Sequence, residues 1–135
     1  MIVDVMQPMI VIVEHDRSNR EFLETFLKFE DFRVLATETS DTALNLVQEH
    51  RPVLVLLDAH LPGTSSLELH TRLKNDQDIA DIPVIAMTTY IMPSQQQVLN
   101  EAGFAACIYK PIDISQLRIY VNYYAWHNSE RSPHQ

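Results

Sequence analysis

Three short apolar runs stop abruptly at charged residues, and this punctuation constrains the fold more than any other feature of the chain. Ile10-Val11-Ile12-Val13 stops at Glu14-His15-Asp16, Val53-Leu54-Val55-Leu56-Leu57 at Asp58, and Ala105-Ala106-Cys107-Ile108-Tyr109 at Lys110-Pro111. Such runs read as strands, and a carboxylate at the end of one must leave the core and face solvent. Three strands thus deliver acids and a lysine to one edge, with Asp58 as the chemical centre.

Between these runs the apolar residues recur at helical spacing, the pattern of a parallel sheet covered by helices on both faces. Phe22-Leu23-Phe26-Leu27 predict a helix behind Asp16 or Ser18, either of which can cap it. Phe32 to Ala36 form a short strand, and Ser40 or Asp41 introduces a second helix carrying Ala43-Leu44-Val47, ended by His50-Arg51-Pro52. After Asp58, Leu61-Pro62-Gly63 signal a turn. Leu67-Leu69-Leu73 give a third helix, stopped by Asn75-Asp76-Gln77-Asp78. Pro83 opens a strand from Val84 to Met87, closed by Thr88-Thr89. Pro93 suits the first turn of a fourth helix, which Gly103 can end. A final helix begins after Asp113 and runs through Trp126.

The fold class that follows is α/β: a doubly wound, five-stranded parallel sheet with right-handed crossovers. Such sheets place their sites beyond the carboxyl ends of the strands, where every residue singled out above lies. A chain of 135 residues fits one domain. It buries roughly 68% of its unfolded surface without staples. Cys107 is the only cysteine, so no internal disulfide forms and a reducing compartment is expected. No segment reaches the ~18 consecutive apolar residues of a membrane span, which predicts a soluble, cytoplasmic protein. The net charge of −8 opposes direct contact with nucleic acid. The chain also offers no length for a second, DNA-reading domain, so output is expected to pass through another protein.

Several features in order now carry a specific resemblance: the acidic step after Val13, Asp58 followed by Leu61-Pro62-Gly63, Thr88 after Val84-Ile85-Ala86-Met87, Ala102-Gly103-Phe104, and Lys110-Pro111. The chain resembles the receiver domain of two-component response regulators over nearly its whole length. Asn19-Arg20-Glu21 and Lys110-Pro111-Ile112-Asp113 look most like receivers attached to or fed by hybrid histidine kinases. The resemblance implies a (βα)5 flavodoxin-like receiver domain over residues 9–126, between an N-terminal extension 1–8 and a polar C-terminal tail 127–135. It implies a signalling module rather than an enzyme, phosphorylated on Asp58 by a histidine kinase or histidine phosphotransfer protein and acting on a downstream protein target. Thr88 is then expected to hydrogen-bond the aspartyl phosphate, and Lys110 to pair with Asp58 or with the incoming oxygens. The chemistry is consistent. An aspartate is a nucleophile without deprotonation at neutral pH, and a transferring phosphoryl group needs cationic and donor groups around it.

Two positions depart from the family pattern around the metal. In the family Mg2+ is held by two consecutive acids after the first strand, by the acceptor aspartate, and by a backbone carbonyl two residues further on. Glu14 fills the first place, but His15 stands in the second, with Asp16 one position late; His60 occupies the carbonyl position, harmless for a backbone ligand. A hard ion prefers carboxylate oxygen to imidazole, so Mg2+ binding is expected to be weakened. Glu14, Asp58 and Lys110 sum to about −1, which a charged His15 would balance. The plainer reading of His15 is a histidine hydrogen-bonding at a strand end, and of His60 a solvated loop residue rather than one shaping access to Asp58. His50, His70, His127 and His134 share no metal-like spacing and read as surface residues.

Two further departures touch the switch. Thr89 replaces a small residue and narrows access to Asp58, and Cys107 stands where an aromatic is usual. Tyr109, on the same side of the strand, is expected to pack in the core, and Cys107 to be a small buried filler. On the last helix Leu117-Tyr120-Val121-Tyr124 have core spacing, while Ile119, Tyr123 and Trp126 form a second stripe. That stripe suits a homodimer or partner surface on the fourth and fifth helices. The alternatives to a phosphoacceptor are a phosphorylation-independent pseudo-receiver acting as an interaction module, and a flavodoxin-like small-molecule binder. The second is opposed by the lack of glycine or a Ser/Thr cluster between Glu14 and Arg20 to cradle a flavin phosphate.

Overall fold

The computed structural model describes residues 7–62, 66–89 and 92–131, the last five as backbone only. Strands and helices alternate along it: β1 (Met9–Val13), α1 (Arg17–Phe29), β2 (Arg33–Thr37), α2 (Ser40–His50), β3 (Leu54–Asp58), α3 (Ser66–Asn75), β4 (Val84–Thr88), α4 (Pro93–Ala102), β5 (Ala106–Tyr109) and α5 (Ile114–Arg131). The strands form one parallel sheet in the order β2-β1-β3-β4-β5. The chain leaves β1 toward β2 on one side and returns to β3 on the other. Their carboxyl ends therefore flank the switch point of the sheet.

Continuous apolar strands are explained by the two cores they serve, because successive side chains point to opposite faces. Ile10, Ile12, Leu54, Leu56, Ile85, Met87 and Ile108 pack with Leu23 and Leu27 of α1 and with Leu117, Val121 and Ala125 of α5. Val11, Val13, Val55, Leu57 and Val84 pack on the opposite face with Ala43 and Val47 of α2 and with Leu69 and Leu73 of α3. Both faces being covered, alternation with polar residues has no place in these strands.

The helix ends follow local chemistry, with some shifts from expectation. Asp16 caps α1, its carboxylate accepting from the Asn19 amide at 2.9 Å. The cap of α2 is Thr39, not Ser40 or Asp41: Thr39 has the extended backbone a cap requires, and its hydroxyl accepts from the Thr42 amide. Gly103 ends α4 at φ 93°, in the left-handed region that favours glycine. Asp113 accepts from the Ser115 and Gln116 amides at the start of α5. That helix continues past Trp126 to Arg131, further than expected. The peptide before Pro111 is cis. Gly63 of the expected turn lies outside the described residues.

Three burial expectations are corrected. His70 is not a surface residue: it is 2% exposed, on the buried face of α3, with its ring 4.0 Å from that of Phe104. Tyr109 is exposed rather than packed in the core, and Cys107 is only half-buried, because β5 is the edge strand and is less covered. Phe22 and Phe29 of α1 face solvent, stacked or adjacent to the half-buried Phe26. The α1 helix needs only Leu23, Phe26 and Leu27 to cover its share of the sheet.

Candidate functional site

The carboxyl ends of β1, β3, β4 and β5 bring Glu14, Asp58, Thr88 and Lys110 together. Asp58 pairs in register with Met87, and Thr88 with Tyr109, so each strand places its last polar residue one step along from its neighbour's. The Lys110 amide donates to the Thr88 carbonyl at 2.8 Å, continuing the ladder into the site. Glu14 and Thr88 are wholly buried, and Asp58 is 3% exposed.

Every polar atom buried here has to be compensated. Asp58 Oδ1 accepts from the His60 amide at 2.8 Å, and Oδ2 accepts from the His15 amide at 3.4 Å. Lys110 Nζ lies 2.8 Å from Glu14 Oε1 and 3.6 Å from Asp58 Oδ1. The shorter contact is a close ion pair rather than a well-aligned hydrogen bond, since Oε1 receives no directed donor. Glu14 Oε2 accepts from the Asp16 amide at 2.9 Å. One ammonium therefore bridges two carboxylates.

The two acids respond differently to that arrangement. Burial pushes the Glu14 carboxyl above its usual range and the Asp58 charge adds to it, against the opposing pull of Lys110 and the Asp16 amide. Burial also disfavours the Asp58 charge, but the His60 amide, Lys110, Glu14 and the His15 amide together hold its carboxyl below the usual range. Asp58 stays an anion, the state a nucleophile needs.

His60 does more than supply a backbone group. Its Nε2 lies 2.9 Å from Thr88 Oγ1 and 3.3 Å from the Thr89 amide nitrogen. His15 meets Asp58 only through its backbone amide among the bonds described, and its residue is exposed. Asp16 is occupied as the α1 cap.

Sequence reasoning missed two scaffolding residues. Arg20 reaches back from α1, its Nη1 donating to the Glu14 and His15 carbonyls at 3.0 and 3.3 Å, and so fixes the acidic loop. Ser66 donates to the Asp58 carbonyl at 2.6 Å and accepts from the Leu61 amide at 3.3 Å, closing the β3–α3 connection. The position of Arg20 one turn into a helix that follows an acidic loop was a usable signal. Ser66 offered none.

A doubly wound sheet with an aspartate, a glutamate and a lysine at its switch point defines a class of small α/β domains with an acidic pocket. The family model of the response regulator receiver domain matches residues 10–122. The polar-differentiation response regulator DivK of Brucella anthropi is 34% identical over 109 residues, 81% of this chain and 89% of that protein. DivK of Brucella ovis is 33% identical over the same shares. Among solved structures, the signal receiver domain of a signal transduction histidine kinase from Syntrophus aciditrophicus has a TM-score of 0.84 at 25% identity, covering 93% of this chain and 95% of that one. The chemotaxis response regulator CheY4 of Vibrio cholerae shares the fold, with a TM-score of 0.81 at 18% identity over 87% and 98% of the two chains. The chain belongs to the response regulator receiver family. It is a receiver domain of two-component signalling, a module that interacts with histidine kinases and downstream targets. Membership sets aside the flavodoxin-like binder and does not favour a phosphorylation-independent module.

Receiver domains generally bind Mg2+ at this acidic pocket. Among the described residues no three His, Cys, Asp or Glu side chains converge to hold a metal, and the two carboxylates that do converge share Lys110. No helix among the described residues is long and apolar enough to cross a membrane.

Proposed function

We propose that Asp58 is the phosphoryl acceptor of a two-component relay, with Lys110 and Thr88 as the groups that stabilise the transferring oxygens. The observation that carries this reading is the held anion: a nearly buried carboxylate kept ionised 3.6 Å from a lysine ammonium. An Asp58 oxygen attacks phosphorus, and the bond from phosphorus to the donor's nitrogen breaks with its electron pair leaving on that nitrogen. With zwitterionic phosphoramidate the products are the aspartyl phosphate dianion and neutral ammonia, so no base is needed. Charge spreading over the three phosphoryl oxygens is met by Lys110 Nζ and by a hydroxyl at the end of β4.

Intact mass after phosphoramidate treatment tests the reading. One phosphoryl adduct is expected on the wild type and none on Asp58→Asn; an adduct that persists in Asp58→Asn moves the acceptor elsewhere. The physiological donor is a histidine kinase or a histidine phosphotransfer protein. The open groove of α1, about 610 Å³ and lined by Phe22, Phe26 and Phe29 with Ser18, Glu21 and Thr25, supports a docking face on that helix. A cytoplasmic setting fits such a donor.

Glu14, Asp58 and the His60 carbonyl are the oxygen ligands that remain for Mg2+, and His15 in place of a second acid weakens its hold. Labelling with Mg2+ or with chelator checks this: the dependence is expected to be shallow in the wild type and steep in His15→Asp. Equal dependence in both proteins refutes it. Exposed Val98 on α4 and Ile119 and Tyr123 on α5 support a surface for a second copy or a target, while Trp126 turns its ring toward Phe32. Sedimentation of the wild type and of Ile119→Lys/Tyr123→Lys tests the dimer.

A further inference from the structure

We infer that His60 is a positioning residue that latches the Thr88 hydroxyl in the resting protein, so that a phosphoryl group on Asp58 gains this donor only when the imidazole lets go. The inference rests on the reading of Asp58 as acceptor. Its backbone is fixed first: the His60 amide donates to Asp58 Oδ1 at 2.8 Å, which seats residue 60 directly over the carboxylate. From there the side chain crosses to the end of β4.

The hydrogen accounting at His60 Nε2 decides the direction of its bonds. The Thr89 amide can only donate, and it points at Nε2 from 3.3 Å. Nε2 therefore carries a lone pair, and the ring proton of the neutral imidazole sits on Nδ1. The Thr88 hydroxyl, 2.9 Å from the same nitrogen, must then be the donor in that contact. A hydroxyl has one proton to give, and here it is directed at the imidazole. Thr89 Oγ1, 3.4 Å away, adds a third group around the same atom.

Phosphorylation changes the demand on that proton. The new phosphoryl oxygens are acceptors beside β4, and Thr88 serves them by rotating its hydroxyl out of the His60 contact. The latch and the phosphoryl group compete for one donor, so the imidazole biases the domain toward its unphosphorylated arrangement. The bias expected from one neutral hydrogen bond is about fivefold in a rate or an affinity. Because His60 is exposed, its removal leaves the core untouched.

Two measurements test the latch. Long-range 15N–1H NMR of the resting wild type at pH 8 reads the His60 tautomer directly: the Nδ1–H form is expected, and a predominant Nε2–H form overturns the inference. Phosphoramidate labelling, followed by intact mass, is then compared in the wild type, His60→Ala, Thr88→Val and the double variant. His60→Ala is expected to label about fivefold faster than the wild type, and in the Thr88→Val background the same change is expected to do nothing. No acceleration in His60→Ala overturns the latch. Acceleration that survives in the Thr88→Val background also overturns it, since His60 would then act as a steric screen over Asp58. The two readings fail differently: label absent from every protein removes the acceptor assignment and the latch with it, whereas label present at unchanged rates removes the latch alone.

Discussion

Leu56 and Asp58 sit two residues apart on one strand and are almost equally removed from water, at 0% and 3% exposure, yet their burial has different causes. Leu56 lies among carbon atoms from α1, α5 and the neighbouring strands, and its contribution is apolar area taken from water. Asp58 lies among donors: two backbone amides and an ammonium. The interior of the sheet is stable because it is dry, whereas its carboxyl edge tolerates burial only because each charge has been given a partner. The lesson is that the edge is tuned for holding an anion ready, and is tied to the fold through few, specific contacts.

That contrast can be broken at Lys110. Replacing it with Met leaves Glu14 and Asp58 buried and facing each other, and is expected to cost about 3–5 kcal/mol in urea unfolding at pH 7. Without the ammonium both carboxyl groups titrate higher in the folded state than in the unfolded one. The loss should therefore shrink as pH falls through those raised values. A variant as stable as the wild type would show that the edge carries no such strain.

In the interior, Leu56→Ala is expected to cost about 2–5 kcal/mol with no dependence on pH, because it removes area and opens a cavity. Phosphoramidate labelling of the folded fraction should be retained. A strong pH dependence of the loss would mean that the two regions are not separable.

His70 and Phe104 provide an intermediate case, a titratable group placed in the dry region. Burial, helped by Lys74, lowers the His70 pKa from 6.5 to about 4. The folded protein therefore binds this proton less readily than the unfolded chain. Its stability is full above pH 6.5 and is lost as pH falls from there toward 4, by about 1.4 kcal/mol at pH 5.5. His70→Leu should abolish that component in urea titrations at pH 7.5 and 5.5; an unchanged slope would place the sensitivity elsewhere.

The smallest effect is expected from Asp58→Asn. It removes a carboxylate held by two backbone amides and an ammonium but leaves Glu14 paired with Lys110, so stability at pH 7 should fall by about 1 kcal/mol. Thermal unfolding checks it, and a drop comparable to that of Leu56→Ala would show that Asp58 is needed to hold the fold.

Much of this was legible in the residues themselves. The uninterrupted apolar runs of β1, β3 and β4 read correctly as strands buried on both faces, whereas the run of β5 looked the same and lies at the less covered edge. Asp58 and Lys110 were legible because a charge directly after such a run has only one place to go. The helix faces were less so. Phe22, Leu23, Phe26 and Leu27 share a spacing, but only the position of the sheet decides that the leucines are covered and Phe22 is not. His70 gave no sign of burial, because the ring that covers it, Phe104, comes from the far side of α4. The α2 cap differed by one residue from expectation because adjacent Thr, Ser and Asp all have capping side chains, and backbone conformation chooses among them.

The sequence by itself determined the succession of strands and helices and which residues stand at strand ends, because each follows from local hydrophobic pattern and spacing, while the family showed through the resemblance of Asp58, Thr88, Lys110-Pro111 and their neighbours to receiver motifs. Only the tertiary structure decided that one lysine serves two acids, that His15 meets Asp58 through its backbone while His60 reaches Thr88 through its ring, and that His70 is dry. Those outcomes depend on distances between segments far apart in the chain, and a hydrogen bond or ion pair changes its meaning within an ångström.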